Sequence, residues 1–202
     1  MSSNFSDIYF KSSHLVLGFH GCEKSTALKI LNSDSEHLKK STNDYDWLGE
    51  GIYFWQNDPL RALEWAKRHH HKISEPFVLG AVIDLGRCLN LNEREGILLV
   101  KAAYEDLKKV FAAENISLNE EYHNEKPDEG GFDIMRPLDC LVINHLHKIL
   151  SDQNIRFDSV VSYFQEGADA FEGSSIKEKS HVQICVVNTD CIKGYFLPRR
   201  KE

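Results

Sequence analysis

The chain carries no CxxC pair, no Gly-rich phosphate loop, no GxGxxG turn and no apolar run long enough to cross a bilayer. Its five cysteines, Cys22, Cys88, Cys140, Cys185 and Cys191, are scattered and odd in number. That usage argues for a reducing compartment rather than a disulfide framework. A membrane-spanning helix needs roughly eighteen or more consecutive apolar residues, and no stretch approaches that. The opening segment MSSNFSDIYFKSSH lacks the apolar region of a secretory signal. Together these absences predict a cytoplasmic protein. Lacking a phosphate loop and a dinucleotide turn, the chain does not hold a nucleotide on a dinucleotide-type fold.

Positive charge is also short. Lys and Arg number 24 against 31 Asp and Glu, so the net charge is 24 − 31 = −7. Such a balance gives no general reason to bind nucleic acid or anionic membranes. Lys193, Arg199, Arg200 and Lys201 form the one visible basic patch, and a solvated tail accounts for it. Metal-ligand spacing is missing as well. His69-His70-His71 ends a predicted helix, where consecutive side chains point in different directions. His145 and His147 also fall on different faces of a helix. With no paired Cys or acidic ligand at suitable spacing, no zinc site is expected.

What is present is an ordinary soluble composition, 42% apolar and 27% charged over 202 residues, enough for one domain spanning 1–202. Apolar patterning predicts strands over 14–19, 51–55, 77–85, 157–164, 181–188 and 191–197. Ser25 is a candidate N-cap for a first helix. Asp58-Pro59 opens a second, running through Arg68. Asn92 with Glu95 loosely matches a capping box before a long helix to about Glu114. Pro137 opens a fourth, and 116–136 reads as irregular. Strands at both ends with helices mainly between them give an α+β domain rather than a doubly wound sheet.

Two short motifs stand out, GFHG at 18–21 and LGEGIYFW at 48–55. Each sets a His or Tyr beside glycines at the end of an apolar run. Glycine permits close approach of a ligand to the backbone, because no Cβ stands in the way. An imidazole and a phenol on two such strands suit a flat, polar ligand. Phe19 and Phe54 alternate with those residues and belong to the core. Trp55 and Trp65 are expected to pack the following helix onto the sheet. Cys22 lies too close to His20 in sequence for a catalytic dyad.

In this order the motifs resemble the ADP-ribosyltransferase superfamily, specifically its diphtheria-toxin and poly(ADP-ribose)-polymerase branch with a His-Tyr-Glu triad. His20-Gly21 corresponds to the first motif, and 49–54 (GEGIYF) to the second. The third is a Glu early in a late strand after a substrate-contacting loop, and here Gln183 stands in its place. Residues of about 14–85 and 157–197 carry the resemblance, while 93–153 match nothing in it. It implies split, mostly antiparallel sheets flanked by helices, with NAD as co-substrate and no metal. The expected activity is mono-ADP-ribosyl transfer to a macromolecular acceptor, protein rather than nucleic acid, with release of nicotinamide. It implies that His20 bonds the adenosine-side ribose, Gly21 holds the carboxamide and Tyr53 stacks on the nicotinamide, with Gly51 in the same motif. Gln183 keeps a hydrogen bond to the nicotinamide ribose but supplies no charge. Glu178, Glu166 or Glu172 from the preceding loop are the candidate carboxylates to replace it. A bacterial toxin or defence protein, with an antitoxin or assembly partner, is the context such a stand-alone domain suggests. Two alternatives stay open. One is a non-catalytic module binding NAD or ADP-ribose. The other is an enzyme of this fold directed at nucleic acid.

Overall fold

The computed structural model describes residues 15–68, 72–118, 126–127 and 134–199. His69-His70-His71, Arg200 and Lys201 lie outside them. β1 (Leu15–Glu23) runs directly into α1 (Lys24–Leu31), and β2 (Ile52–Gln56) is followed by α2 (Pro59–Ala66). Next come β3 (Pro76–Asp84), β4 (Cys88–Asn90) and α3 (Arg94–Ala113). A two-stranded pairing of β5 (Lys126–Pro127) with β6 (Ile134–Met135) precedes α4 (Pro137–Asp152). β7 (Ser159–Phe164), β8 (His181–Val186) and β9 (Ile192–Phe196) complete the chain. The result is an α+β architecture around a seven-stranded sheet of order β4-β7-β8-β2-β1-β3-β9. Every neighbouring pair is antiparallel except β4 with β7.

Local chemistry sets the start of α2. Asp58 caps α2 by accepting from the Arg61 amide at 2.9 Å, with Pro59 at the first helical position. Two expected caps are not used. α1 starts at Lys24 with Glu23 as N-cap and no side-chain bond to the helix, because Glu23 is still strand. Its carboxylate takes the amides of Ser74 and Glu75 instead, at 2.7 and 2.9 Å. α3 begins at Arg94, since the Asn92 side chain is drawn away to the Tyr163 amide, 2.8 Å off on β7. Short β4 carries no sequence signal of its own and forms by parallel pairing with β7.

Alternation along the strands divides the core. Ile52, Phe54, Ile184 and Val186 face α1, whose Ala27 and Ile30 are buried against them. On the opposite face, Tyr53, Cys185, Val160 and Leu89 pack under α3 and α4. Phe19, Trp55 and Val78 pack under α2, with Ala62 and Trp65. The two covers on this second face therefore flank β2 and β8, where the site residues fall. β3 and β9 pair through a register shift at Val82/Ile83. The separate sheets implied by the resemblance are here one hydrogen-bonded sheet, narrowed to two residue pairs between β1 and β2, Gly18 with Gln56 and Phe19 with Trp55.

Candidate functional site

The narrowing is where His20 acts. One residue past the last β1–β2 pair, its Nδ1 lies 2.7 Å from the Tyr53 carbonyl. A carbonyl oxygen only accepts, so Nδ1 carries the hydrogen and Nε2 presents a lone pair. Burial lowers the imidazole pKa below the usual histidine value, against the raising effect of that carbonyl, and keeps the ring neutral. Its ring neighbours are Phe54 and Trp65, with centroids 5.8 and 6.4 Å away.

Gly21 follows on β1. The Leu17 carbonyl accepts from Asn57 on the β2 side, and the Lys24 amide donates to Glu75 on the β3 side. Since the β1–β3 register runs unbroken from Leu15 to Glu23, alternation turns the N–H and C=O of Gly21 toward β2. There the ladder no longer supplies a partner strand. The missing side chain serves a different purpose from the one expected. A Cβ at Gly21 would come 2.1 Å from the Ala62 carbonyl, so the glycine lets α2 settle on β1. Gly51 is likewise a packing glycine, because a Cβ there would meet Cys185 Sγ at 2.4 Å.

Tyr53 sits opposite Cys185 of β8. Its hydroxyl donates to the Gly49 carbonyl at 2.5 Å and accepts from the Leu48 amide at 2.9 Å. Burial raises the phenol pKa well above its ordinary value, so the group stays protonated. The hydroxyl thus straps the turn leading into its own strand. His20 and Tyr53 are brought together through the Tyr53 main chain, while the phenol belongs to the core under α3 and α4.

The third expected position also reaches this region. Gln183 lies opposite Trp55 on β2 and Ser162 on β7, so Phe19, Trp55, Gln183 and Ser162 form one row across four strands. Its Oε1 is buried with no hydrogen-bond partner. The loop carboxylates divide. Glu178 and Glu172 are exposed. The Glu166 side chain is only 16% exposed and is held by Arg61 at 2.7 Å and Arg68 at 3.0 Å.

Sequence reasoning did not single out His181, two residues before Gln183 and therefore on the same face. Its side chain is 2% exposed, and its ring lies among Trp47, Trp55 and Phe164, with centroids 6.0–6.3 Å away. The strand alternation in HVQ was the available signal. Arg61, buried in α2, had no comparable one. Alongside lies a cleft of about 460 Å³ between α3, α4 and β7, whose lining includes Trp47, Arg136, Ser162 and Phe164. The Arg136 guanidinium stands 4.3 Å over the Trp47 ring and 5.0 Å from Phe164.

Among the described residues, no group of three or more His, Cys, Asp or Glu is placed to hold a metal ion. No helix among them is long and apolar enough to cross a membrane. No protein-family model matches the chain, and no solved structure matches it. It is similar to an uncharacterized protein of Methanocaldococcus jannaschii, at 23% identity over 87% of this chain and 83% of that one.

Proposed function

We propose that the protein is an NAD-dependent mono-ADP-ribosyltransferase. It transfers ADP-ribose from NAD to a macromolecular acceptor and releases nicotinamide. The observation that carries this reading is the gap between β1 and β2. There a main-chain N–H and C=O (Gly21) point beside a neutral imidazole (His20), one strand from the Gln183 amide on β8. A carboxamide has one acceptor and two donors, which is the complement of a peptide N–H and C=O. His20, with Nδ1 committed to Tyr53, offers Nε2 to a ribose hydroxyl. Cleavage of the nicotinamide–ribose bond passes through an oxocarbenium-like state. Gln183 bonds the sugar without adding negative charge.

Purified protein incubated with NAD labelled in the adenylate part, in cell lysate, is expected to give labelled macromolecules and free nicotinamide. His20→Ala is expected to weaken NAD binding at least tenfold by calorimetry. Absence of both transfer and NAD hydrolysis, in well-folded protein, would exclude the enzyme. The second reading, a module that binds NAD without turning it over, is favoured by one observation. The carboxylates expected to replace the missing Glu are either exposed (Glu172, Glu178) or tied to arginines (Glu166). Calorimetric binding with no nicotinamide released over many hours would select it. Label that survives protease but not nuclease would direct the same fold to nucleic acid.

A further inference from the structure

Three buried polar atoms on one face of β2 and β8 have no hydrogen-bond partner: Trp55 Nε1, Gln183 Oε1 and His181 Nε2. Trp55 is the cross-strand neighbour of Gln183, and its ring centroid is 6.3 Å from that of His181. Buried polar groups are seldom left unsatisfied, and exceptions concentrate where a ligand or a reaction supplies the partner. The set is one donor with two acceptors. The His181 acceptor is fixed, because Nδ1 donates to the Lys179 carbonyl at 2.8 Å and leaves the lone pair on Nε2.

The geometry points to His181 as the group that takes the proton of the incoming acceptor, an inference that rests on the transferase reading above. Behind the ring, Glu166 Oε2 is 3.9 Å from Nδ1, positioned to stabilise the imidazolium once it forms. A nucleophile X–H donates its hydrogen to His181 Nε2 and accepts from Trp55 Nε1. As the C–N bond to nicotinamide breaks, its electron pair leaves with nicotinamide. A lone pair of X forms the new bond to the ribose carbon, and the X–H proton passes to Nε2. The imidazolium then returns that proton to solvent. The chemistry also selects the acceptor. Arg61, buried and cationic, acts on the same imidazole, so an ammonium or guanidinium is disfavoured. A neutral hydroxyl or primary amide fits both the charge and the donor–acceptor set.

The charged surroundings of His181 are Glu166 with Arg61 and Arg68, Asp58 at the start of α2, and Arg136 over Trp47. Burial lowers the His181 pKa, Arg61 adds to that, and the Lys179 carbonyl, Glu166 and Asp58 oppose it. The ring is therefore a free base at neutral pH.

The test uses methanol as the probe nucleophile and follows nicotinamide release and methyl ADP-ribose formation against pH. Wild type is expected to show an acid limb below the ordinary histidine range. His181→Gln is expected to lower both rates by about 100-fold or more, as for loss of a general base. It should also abolish the acid limb while leaving the NAD dissociation constant within about threefold. Glu166→Gln removes the negative charge behind the ring and should shift the limb to lower pH. A purely structural role for His181 would not produce that shift. An acid limb unchanged in either folded variant overturns the assignment while the transferase reading stands. NAD binding by wild type with no turnover overturns it too, and leaves the binding module. Absence of NAD binding removes both.

Discussion

β1 is joined to its two neighbours very unequally. Nine residue pairs, Leu15–Asp84 through Glu23–Pro76, tie it to β3, whereas two tie it to β2. The sheet therefore consists of two well-knit parts, β1-β3-β9 and β4-β7-β8-β2, meeting at a thin seam. Side chains do much of the work that main-chain ladders do elsewhere. The His20 imidazole reaches across to Tyr53, and Arg61 and Arg68, following the α2 side, reach Glu166 just past β7. His20 and Gly21 line this seam, with Gln183 and His181 one strand away on β8. A ladder fixes backbone positions but consumes every polar group it touches. A seam held by side chains leaves main-chain groups for a ligand.

The sharpest way to break the comparison is to cut the seam. Arg61→Ala removes a buried cation from both Glu64 and Glu166, leaving Glu166 with Arg68. A loss of about 3 kcal/mol is expected in urea unfolding, at the lower end for breaking a buried ion pair. A change below about 1 kcal/mol would mean that the ladder alone holds the halves together. The laddered side is tested by Gly21→Ala, whose added methyl meets the Ala62 carbonyl. Overpacking of that kind costs about 1–3 kcal/mol. Gly194→Ala, where a Cβ meets nothing within 4 Å, serves as the control and should leave the midpoint almost unmoved.

Tyr53→Phe should cost about 1–2 kcal/mol by stranding the Leu48 amide and the Gly49 carbonyl. Hydrogen exchange at the Leu48 amide should accelerate selectively. The histidines also make stability depend on pH. His20, His147 and His181 all have pKa values lowered by burial from 6.5, the value taken for an unperturbed side chain. The unfolded chain thus binds more protons in that window. Their contribution is fully present above pH 6.5 and is lost as pH falls through the folded values. Each histidine gives a slope of at most about 1.4 kcal/mol per pH unit. Thermal unfolding followed from pH 7.5 to 5 checks the sign. A midpoint that rises on acidification would contradict it.

Apolar runs such as 181–186 were legible as strands, although β8 is buried on both faces rather than in alternation, and Asp58-Pro59 announced α2 by local chemistry alone. β4 was not legible, since three residues carry no period and its partner lies about seventy positions away on β7. At the start of α3 local chemistry misleads for a related reason. Asn92 is a competent cap by type, but the β7 amide, remote in sequence, offers its side chain a competing partner. At the site, His20, Tyr53 and Gln183 were named from motifs, and the sheet does place their strands side by side. Gly21 was named with the wrong physical reason, because which neighbour fills the space of an absent Cβ depends on a helix docking that no local pattern encodes. The Arg61–Glu166 pair spans 105 positions and was invisible for the same cause.

The register shift between β3 and β9 has a consequence at the rim of the molecule. β9 carries one outer edge of the sheet and the three-residue β4 carries the other. A short strand offers little length to a foreign chain, and an irregular register twists an edge away from flat pairing. Lys193, exposed near the start of β9, adds the charge that deters edge-to-edge stacking. Both borders of the sheet therefore resist addition of a further strand, a safeguard against cross-β self-association.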